Sequence, residues 1–339
     1  MKPITRTATA LALLAVALPL AAARRTDDPL ALIPADAASV GMVRLADLRT
    51  SPLASRLFSE TDTLTLDGDA ARFMEEASLR PKEDVDVVVF AGSPRNGGAD
   101  GSGLVLFEGR FDVDKLSAAI VARGARKVST PNGDYVLLPN KGDKGDGNGG
   151  HPDGAIAFAS NHLVIAGTED AVTAALARRE AGGSSFVSGA GLGRHYGRID
   201  SGATAWALVD VARWPQSQGG ASHRRRGDDG EPTSMTGLVG AMKTVTTVAL
   251  QATAKGDTLK LSATGLSSDE ETRELLEDSI RGVLAAMRLA AQDKSPDAVS
   301  ILRKFKVQRD GDSVSVSGTL PGSAVRALAE KGHKGDRSK

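Results

Sequence analysis

The sequence contains no cysteine among its 339 residues. This absence excludes disulfide bonds, thiolate metal sites, thiol nucleophiles and lipid attachment through a cysteine. The stability of the folded chain must therefore come from its apolar core, and a chain of this length can bury enough surface for that.

Aromatic residues and net charge are also scarce. Phe, Trp and Tyr make up 4% of the chain, and 42 basic residues balance 42 acidic ones. Nucleic-acid binding depends on basic surfaces and on aromatic side chains that stack on bases, so the composition argues against a nucleic-acid partner. The hydrophobic share of 41% is ordinary for a globular protein and argues against a disordered chain.

Only the N-terminus carries a long hydrophobic run. Lys2 and Arg6 precede an apolar stretch, Ala8–Leu18, which is followed by Pro19 and three alanines that end at Ala23. This order predicts a secretory signal peptide over residues 1–23, cleaved near Ala23. The alternative is an uncleaved membrane anchor, but the stretch is shorter than the roughly 20 residues that a spanning helix needs. We therefore expect a periplasmic or secreted protein with no transmembrane span in the mature chain.

The rest of the chain alternates short strands and amphipathic helices. Residues 85–91 are almost all apolar and β-branched, which indicates a central strand. Turn signals at residues 131–134, 160–162, 255–257 and 310–311 each separate two short apolar segments and predict β-hairpins. The pattern predicts an α+β fold in which helices cover antiparallel strands.

Two helices have clear start signals. Asp112 is expected to cap one helix, with Phe111 and Leu116 as a hydrophobic staple. Ser268 and Glu271 form a capping-box pattern before the longest helix. One face of that helix should be apolar, with Leu276, Ile280, Val283, Leu284, Met287 and Ala291 along it.

The order of elements repeats along the chain. Each half is predicted to read β-α-β-β-α-β-β-α, with Gly-Thr at 167–168 and again at 318–319, and an extra hairpin at 127–138 in the first copy. The alternative is a chance match, because any α+β protein yields hairpins followed by helices. The domain prediction is a first α+β half over 24–185, a second over 203–332, a flexible loop at 215–234 and a disordered tail at 333–339, each half being an antiparallel sheet covered by helices.

The residues that could carry chemistry are better explained by structural roles in loops, turns and helix or strand ends. The five histidines show no metal-ligand spacing, and they are His151, His162, His195, His223 and His333. Residues 189–193 are glycine-rich but lack the lysine of a P-loop and the third glycine of a dinucleotide fingerprint. Two aspartate pairs, Asp84 with Asp86 and Asp112 with Asp114, fit helix and strand ends better than an acid–base dyad.

The polar loops give no better candidate. Asp143, Asp146 and Asn148 lie in a glycine-rich loop, residues 141–150, but their spacing does not fit a calcium-binding EF-hand loop. A basic cluster at 223–226 is cancelled by acidic residues that follow at once. No G-x-S-x-G elbow is present. We therefore predict no catalytic residue, no cofactor and no metal ligand.

Several short motifs together resemble a group of exported bacterial envelope proteins to which no activity is assigned. The motifs are Leu32-Ile33-Pro34-Ala35-Asp36, Ser51-Pro52-Leu53, Gly109-Arg110-Phe111-Asp112 and the hairpin at Asp310-Gly311. The resemblance implies a bacterial envelope setting and no site, and this chain departs from the group in its polar insertions at 141–150 and 215–234.

The leading hypothesis is an exported, non-enzymatic protein that binds an envelope protein or a small apolar ligand. A groove between a sheet and its helices is the usual place for such a ligand. The alternative hypothesis is a hydrolase of cell-envelope polymers, which would need a polar cleft with two carboxylates about 5–10 Å apart.

Overall fold

The structure is a computed structural model that describes residues 26–53, 68–93, 101–139, 154–183, 186–213, 245–292 and 296–326. These residues form a mixed helix-and-strand fold with an antiparallel sheet, as the sequence predicted. The predicted signal peptide, the loops at 141–150 and 215–234 and the C-terminal tail lie outside the described residues.

The described strands form one antiparallel sheet of twelve strands in the order β11-β12-β10-β9-β8-β1-β2-β3-β7-β6-β5-β4. The strands are β1 Ser39–Arg44, β2 Val85–Ser93, β3 Ser102–Gly109, β4 Arg126–Thr130, β5 Gly133–Leu137, β6 Gly154–Ser160, β7 Leu163–Thr168, β8 Ala205–Asp210, β9 Thr247–Lys255, β10 Thr258–Leu266, β11 Lys306–Asp310 and β12 Ser313–Pro321.

The helices of the described residues lie on the two faces of this sheet. They are α1 Leu45–Arg49, α2 Gly68–Glu76, α3 Pro81–Asp84, α4 Val113–Val121, α5 Glu169–Glu180, α6 Glu270–Gln292 and α7 Pro296–Arg303. Short 3₁₀ helices occupy Pro29–Leu32, Phe186–Ser188 and Leu192–Arg198.

The strands of the two chain halves join into a single sheet instead of forming one sheet each. β1 of the first half pairs with β8 of the second, from Ser39 opposite Val209 to Val43 opposite Ala205. This pairing satisfies backbone groups that would otherwise be exposed on two sheet edges. Outward from the β1–β8 pair, the strands follow the same order on both sides, β1-β2-β3-β7-β6 and β8-β9-β10-β12-β11.

One face of the sheet, here called the strap face, is covered by an N-terminal segment of residues 27–37, which we call the strap. Leu32 and Ile33 of the strap are fully buried in the main core with helix α5 and Phe186. Arg179 binds Asp27 at 2.8 Å, and Arg178 Nε donates to the Leu32 carbonyl oxygen at 2.8 Å. The strap is thus a structural part of the fold, which the sequence did not assign to any element.

The opposite face, here called the helix face, is covered unevenly. In the first half, α2 and α4 pack on it around Phe111, Leu116 and Ala119. In the second half, α6 packs on it through Leu276 and Ile280, in a cluster with Val245 and Val314. The predicted apolar face of α6 is buried at Leu276 and Leu284, whereas Met287 on the same face is 49% exposed.

The two start signals have different outcomes. The Asp112 side chain accepts a hydrogen bond from the Lys115 backbone N–H at 3.1 Å, so the predicted cap is confirmed, and Phe111 and Leu116 share one core cluster. The predicted Ser268 cap is wrong by one residue, since Asp269 accepts from the Thr272 N–H at 2.7 Å and the helix begins at Glu270. Both residue types can cap a helix, so the pattern alone does not distinguish them.

Candidate functional site

The uncovered part of the helix face forms an apolar groove of about 520 Å³. Its lining belongs to strands β1, β2, β8, β9, β10 and β12, with Phe305 between α7 and β11. Phe90 is 39% exposed and Leu250 is 44% exposed, so large apolar side chains face solvent there. Large exposed apolar patches commonly mark binding sites.

The floor of the groove consists of side chains in two rows that cross neighbouring strands. Because alternate residues of a strand point to the same face, the register places each row on the helix face. The first row runs Gly41, Ala207, Leu250, Ala263 and Val316. The second row runs Val43, Ala205, Ala252, Leu261 and Gly318.

Small side chains form the lowest part of the groove floor. The four alanines project only a methyl group from the sheet, whereas Leu250 and Leu261 rise beside them. Alanine on the floor therefore leaves a hollow instead of a packed contact.

The polar residues at the groove have their side chains on the strap face. Gln251 Nε2 donates to the Arg198 carbonyl oxygen at 2.9 Å, and its Oε1 accepts from the Asp200 N–H at 2.7 Å. Trp206 is buried on that face, with its ring 5.4 Å from that of Tyr196. Among the described residues, the groove thus presents hydrocarbon side chains to a ligand.

A second depression, of about 470 Å³, is polar and lies on the strap face of the second half. Its described lining is Arg198, Thr264, Gln308, Arg309, Asp310, Ser313 and Ser315. Arg198 is bound by both carboxylate oxygens of Asp312, at 2.7 and 2.8 Å, and Arg309 contacts Glu270 at 3.1 Å and Glu277 at 3.3 Å. Both guanidinium groups already have carboxylate partners, and Asp310 is the one carboxylate in the described lining.

His195 lies near Arg198 of this depression, and its lowered pKa predicts that the protein loses stability in acid. Burial, with Arg194 and Arg198 nearby, lowers the pKa of His195 below its ordinary value, while Asp312 and Asp210 oppose this effect. Because the pKa of His195 is lower in the folded state, the unfolded protein keeps the proton on this residue up to a higher pH than the folded protein does. Stability from this group is therefore present above about pH 6.5 and falls as pH drops through the lower folded pKa.

We expect His195→Gln to flatten the decrease in urea midpoint between pH 7 and pH 5. The variant replaces the imidazole, which titrates between pH 7 and pH 5, with an amide that does not titrate. Urea denaturation followed by circular dichroism at several pH values measures the effect. An unchanged slope in the variant would contradict the prediction.

The histidines predicted to lack a shared site are not brought together in the described structure. His162 lies in the β6–β7 turn with Nδ1 2.9 Å from the Gly109 carbonyl oxygen, and His195 Nε2 accepts from Arg194 Nε at 2.9 Å. His151, His223 and His333 lie outside the described residues. Within the described ranges, no group of three or more His, Asp or Glu residues is placed to hold a metal ion.

The other singled-out residues have structural contacts. In the glycine-rich stretch at 189–193, a side chain at Gly191 would meet the Ala35 carbonyl oxygen at 2.7 Å, so this glycine permits close contact with the strap. Asp84 accepts from the Arg80 N–H at 2.7 Å, and Asp86 binds Arg49 at 2.5 Å. Both aspartates therefore have hydrogen-bond or ion-pair partners within the fold.

Sequence reasoning expected a groove between a sheet and its helices, but it did not predict where the groove lies or which residues line it. The alternation of Ala205 and Ala207 with larger residues indicated a strand, but it did not indicate that their face would lack a covering helix. The signal that could have found it is the alanine content of neighbouring strands, read in register. Register depends on the pairing of β1 with β8, which joins distant parts of the chain.

The overall fold is similar to that of a solved protein. Three crystal forms of TP0453, a Treponema envelope protein, align with the chain. Form III has a TM-score of 0.51 and 10% identity, covering 90% of this chain and 99% of that one. Forms I and IV have TM-scores of 0.47 and 0.48 at 9% and 10% identity, covering 91% and 89% of this chain and 98% and 96% of theirs. The likeness to form III shows a common fold.

No protein-family model and no curated protein sequence matches the chain. Among the helices of the described residues, none combines the length and the hydropathy that a bilayer-spanning segment needs.

Proposed function

We propose that this protein is exported to the periplasm or cell exterior and binds a small apolar ligand in the groove of the helix face, without catalysing a reaction. The observation that carries the proposal is the groove's lining of hydrocarbon side chains on an open sheet face. Binding sites for small molecules are commonly concave and mostly apolar. Each methylene group that a ligand removes from water contributes about 0.8 kcal/mol.

The shape of the site favours a small ligand over a protein partner. A flat apolar face would suit a protein–protein interface, whereas this surface is a hollow floored by Ala205, Ala207, Ala252 and Ala263. The two rows of floor residues span about 7 Å along the strands. A partner helix, about 10–12 Å wide with its side chains, would extend beyond them.

The hydrolase hypothesis has less support. It requires a polar cleft in which one carboxylate is an acid and another a base or nucleophile. Asp310 lines the polar depression without a second described lining carboxylate, and Asp312, Glu270 and Glu277 bind arginines nearby. Such ion pairs hold carboxylates in a structural role.

Export and duplication are parts of the same proposal. The charged start, short apolar stretch and alanines before residue 24 support export, and the fold is also that of an envelope protein. The matching strand order on either side of the β1–β8 pair supports a duplicated ancestor. In this account the groove arises where the second copy has less helical cover than the first.

The proposal is tested by titrating N-phenyl-1-naphthylamine, a neutral dye that fluoresces in apolar surroundings, into the exported full chain. We expect saturable binding with one dye per protein. Hexadecanoic acid should displace the dye, because both would occupy the same groove. A linear, unsaturable increase in fluorescence, or none, would refute binding at a defined apolar site.

A second test asks whether the protein retains a ligand from its own envelope. Native mass spectrometry of protein purified from that source is expected to show added mass that organic extraction removes. Detection of bare protein alone would count against tight binding, while the dye titration would still measure a weaker affinity.

A further inference from the structure

We propose, resting on the function proposed above, that the ligand's bound part is a single unbranched hydrocarbon chain that lies across the strands, and that Phe90 and Phe305 set the length accepted. The two phenyl rings lie near opposite ends of the groove. Phe90 projects from β2, and Phe305 precedes β11.

Each ring lies over a glycine of the sheet. A Cβ atom at Gly41 would come within 2.7 Å of the Phe90 ring atom Cε1, and a Cβ at Gly318 would come within 2.6 Å of the Phe305 atom Cγ. Carbon atoms that are not bonded pack at about 3.5–4.0 Å. Only glycine therefore allows the rings to lie this low on the floor.

The rings bound the groove along its length. Gly41 is on β1 and Gly318 is on β12, with β8, β9 and β10 between them. Four interstrand gaps of about 4.8 Å separate the two glycines, so the distance across the strands is about 19 Å. Between the rings the floor carries four alanines, while Leu250 stands in the first row and Leu261 in the second. The low part of the floor therefore runs diagonally along the alanines of β8, β9 and β10, and a long, thin ligand fits this path better than a compact one.

The chemistry of the floor restricts the ligand further. A hydroxyl or carbonyl group on the buried part of the chain would lose its hydrogen bonds to water without gaining a partner among the described lining side chains. Such a loss weakens binding about tenfold or more. The bound portion is therefore hydrocarbon, with any polar group at a point where the chain leaves the groove.

Chain length provides the test of the phenyl rings. Saturated fatty acids of increasing length are used to displace N-phenyl-1-naphthylamine from the wild-type protein. Affinity should rise about fourfold per added methylene while the chain lies in the groove, and then level off. In Phe90→Ala, the exposed Gly41 lengthens the floor by one strand, about 5 Å, so the plateau should move to longer chains. Phe305→Ala should act in the same direction from the other end.

Phe73→Ala is the matched control. This half-buried phenylalanine of helix α2 contacts Arg123 and does not line the groove. Its plateau should equal that of the wild type. Phe90→Leu, which keeps apolar bulk on the strand, shows whether loss of the ring or loss of folding causes a change, and circular dichroism checks the fold of each variant.

A plateau that stays at the same chain length in Phe90→Ala and Phe305→Ala would overturn the length assignment while leaving the binding function in place. Equal affinity for hexadecanoic acid and 8-hydroxyhexadecanoic acid, which carries its hydroxyl in the middle of the chain, would overturn the assignment of a wholly hydrocarbon bound part, since the expected difference is tenfold or more. Failure of the wild type to bind any chain would instead refute the proposed function.

Discussion

An Ala207→Asp variant is expected to bind N-phenyl-1-naphthylamine at least tenfold more weakly than the wild type. Ala207 lies in the first floor row, between Gly41 and Leu250. A bound apolar ligand would strip water from the new carboxylate, and an ion without a partner is costly to bury. A cost of about 1.4 kcal/mol already corresponds to a factor of ten in affinity.

The matched control for this variant is Thr253→Asp. Thr253 belongs to the neighbouring strand β9 and is half-buried, but it points to the strap face, so a carboxylate there does not enter the groove. Binding by this control should equal that of the wild type. In Ala207→Asp, lowering the pH toward the carboxyl pKa of about 3.9 should restore part of the affinity, because the neutral acid is cheaper to desolvate. Equal loss in both variants would place the dye elsewhere.

A Leu32→Ala variant is expected to lose about 2–5 kcal/mol of unfolding free energy. Leu32 belongs to the strap and is fully buried in the main core, and its backbone carbonyl oxygen accepts from Arg178 Nε at 2.8 Å. Removal of the side chain leaves a cavity that the surrounding strap and α5 residues fill only in part. Urea denaturation followed by circular dichroism measures the change.

Leu275→Ala is the control for this substitution, since Leu275 of α6 is 54% exposed. Its unfolding free energy should change by no more than about 0.5 kcal/mol. Leu32→Ala should leave dye affinity unchanged under conditions where the protein is folded, because the strap and the groove lie on opposite faces of the sheet. A stable Leu32→Ala variant would show that the strap is not part of the cooperative core. Cleavage near Ala23 would leave this strap intact.

Most strands were predictable because local signals specify them. In β12, serine and valine alternate from Ser313 to Ser317, which indicates a strand with one polar and one apolar face. The Asp310-Gly311 turn marked its hairpin, and Asp112 marked the start of α4. The cap of α6 was misplaced by one residue because Ser268 and Asp269 are both suitable caps.

The candidate site depended on contacts between distant residues. Gly41 and Ala207 are neighbours only because β1 pairs with β8, and Ala263 joins them only through β9. The sequence also gave no reason to expect that Phe90, within an apolar strand, would remain 39% exposed. Exposure depends on which elements pack over a sheet face, and that packing joins segments that are distant in the sequence.

The sequence by itself determined the α+β class, the hairpins and the absence of thiol chemistry, and it predicted an exported chain. These follow from residue type and short-range periodicity, which act within a few residues of the chain. The tertiary structure alone decided that both halves share one sheet, that the strap completes the core and that alanines and two phenyl rings enclose a groove. Those features arise from pairing and packing between segments far apart in sequence, so no local pattern encodes them.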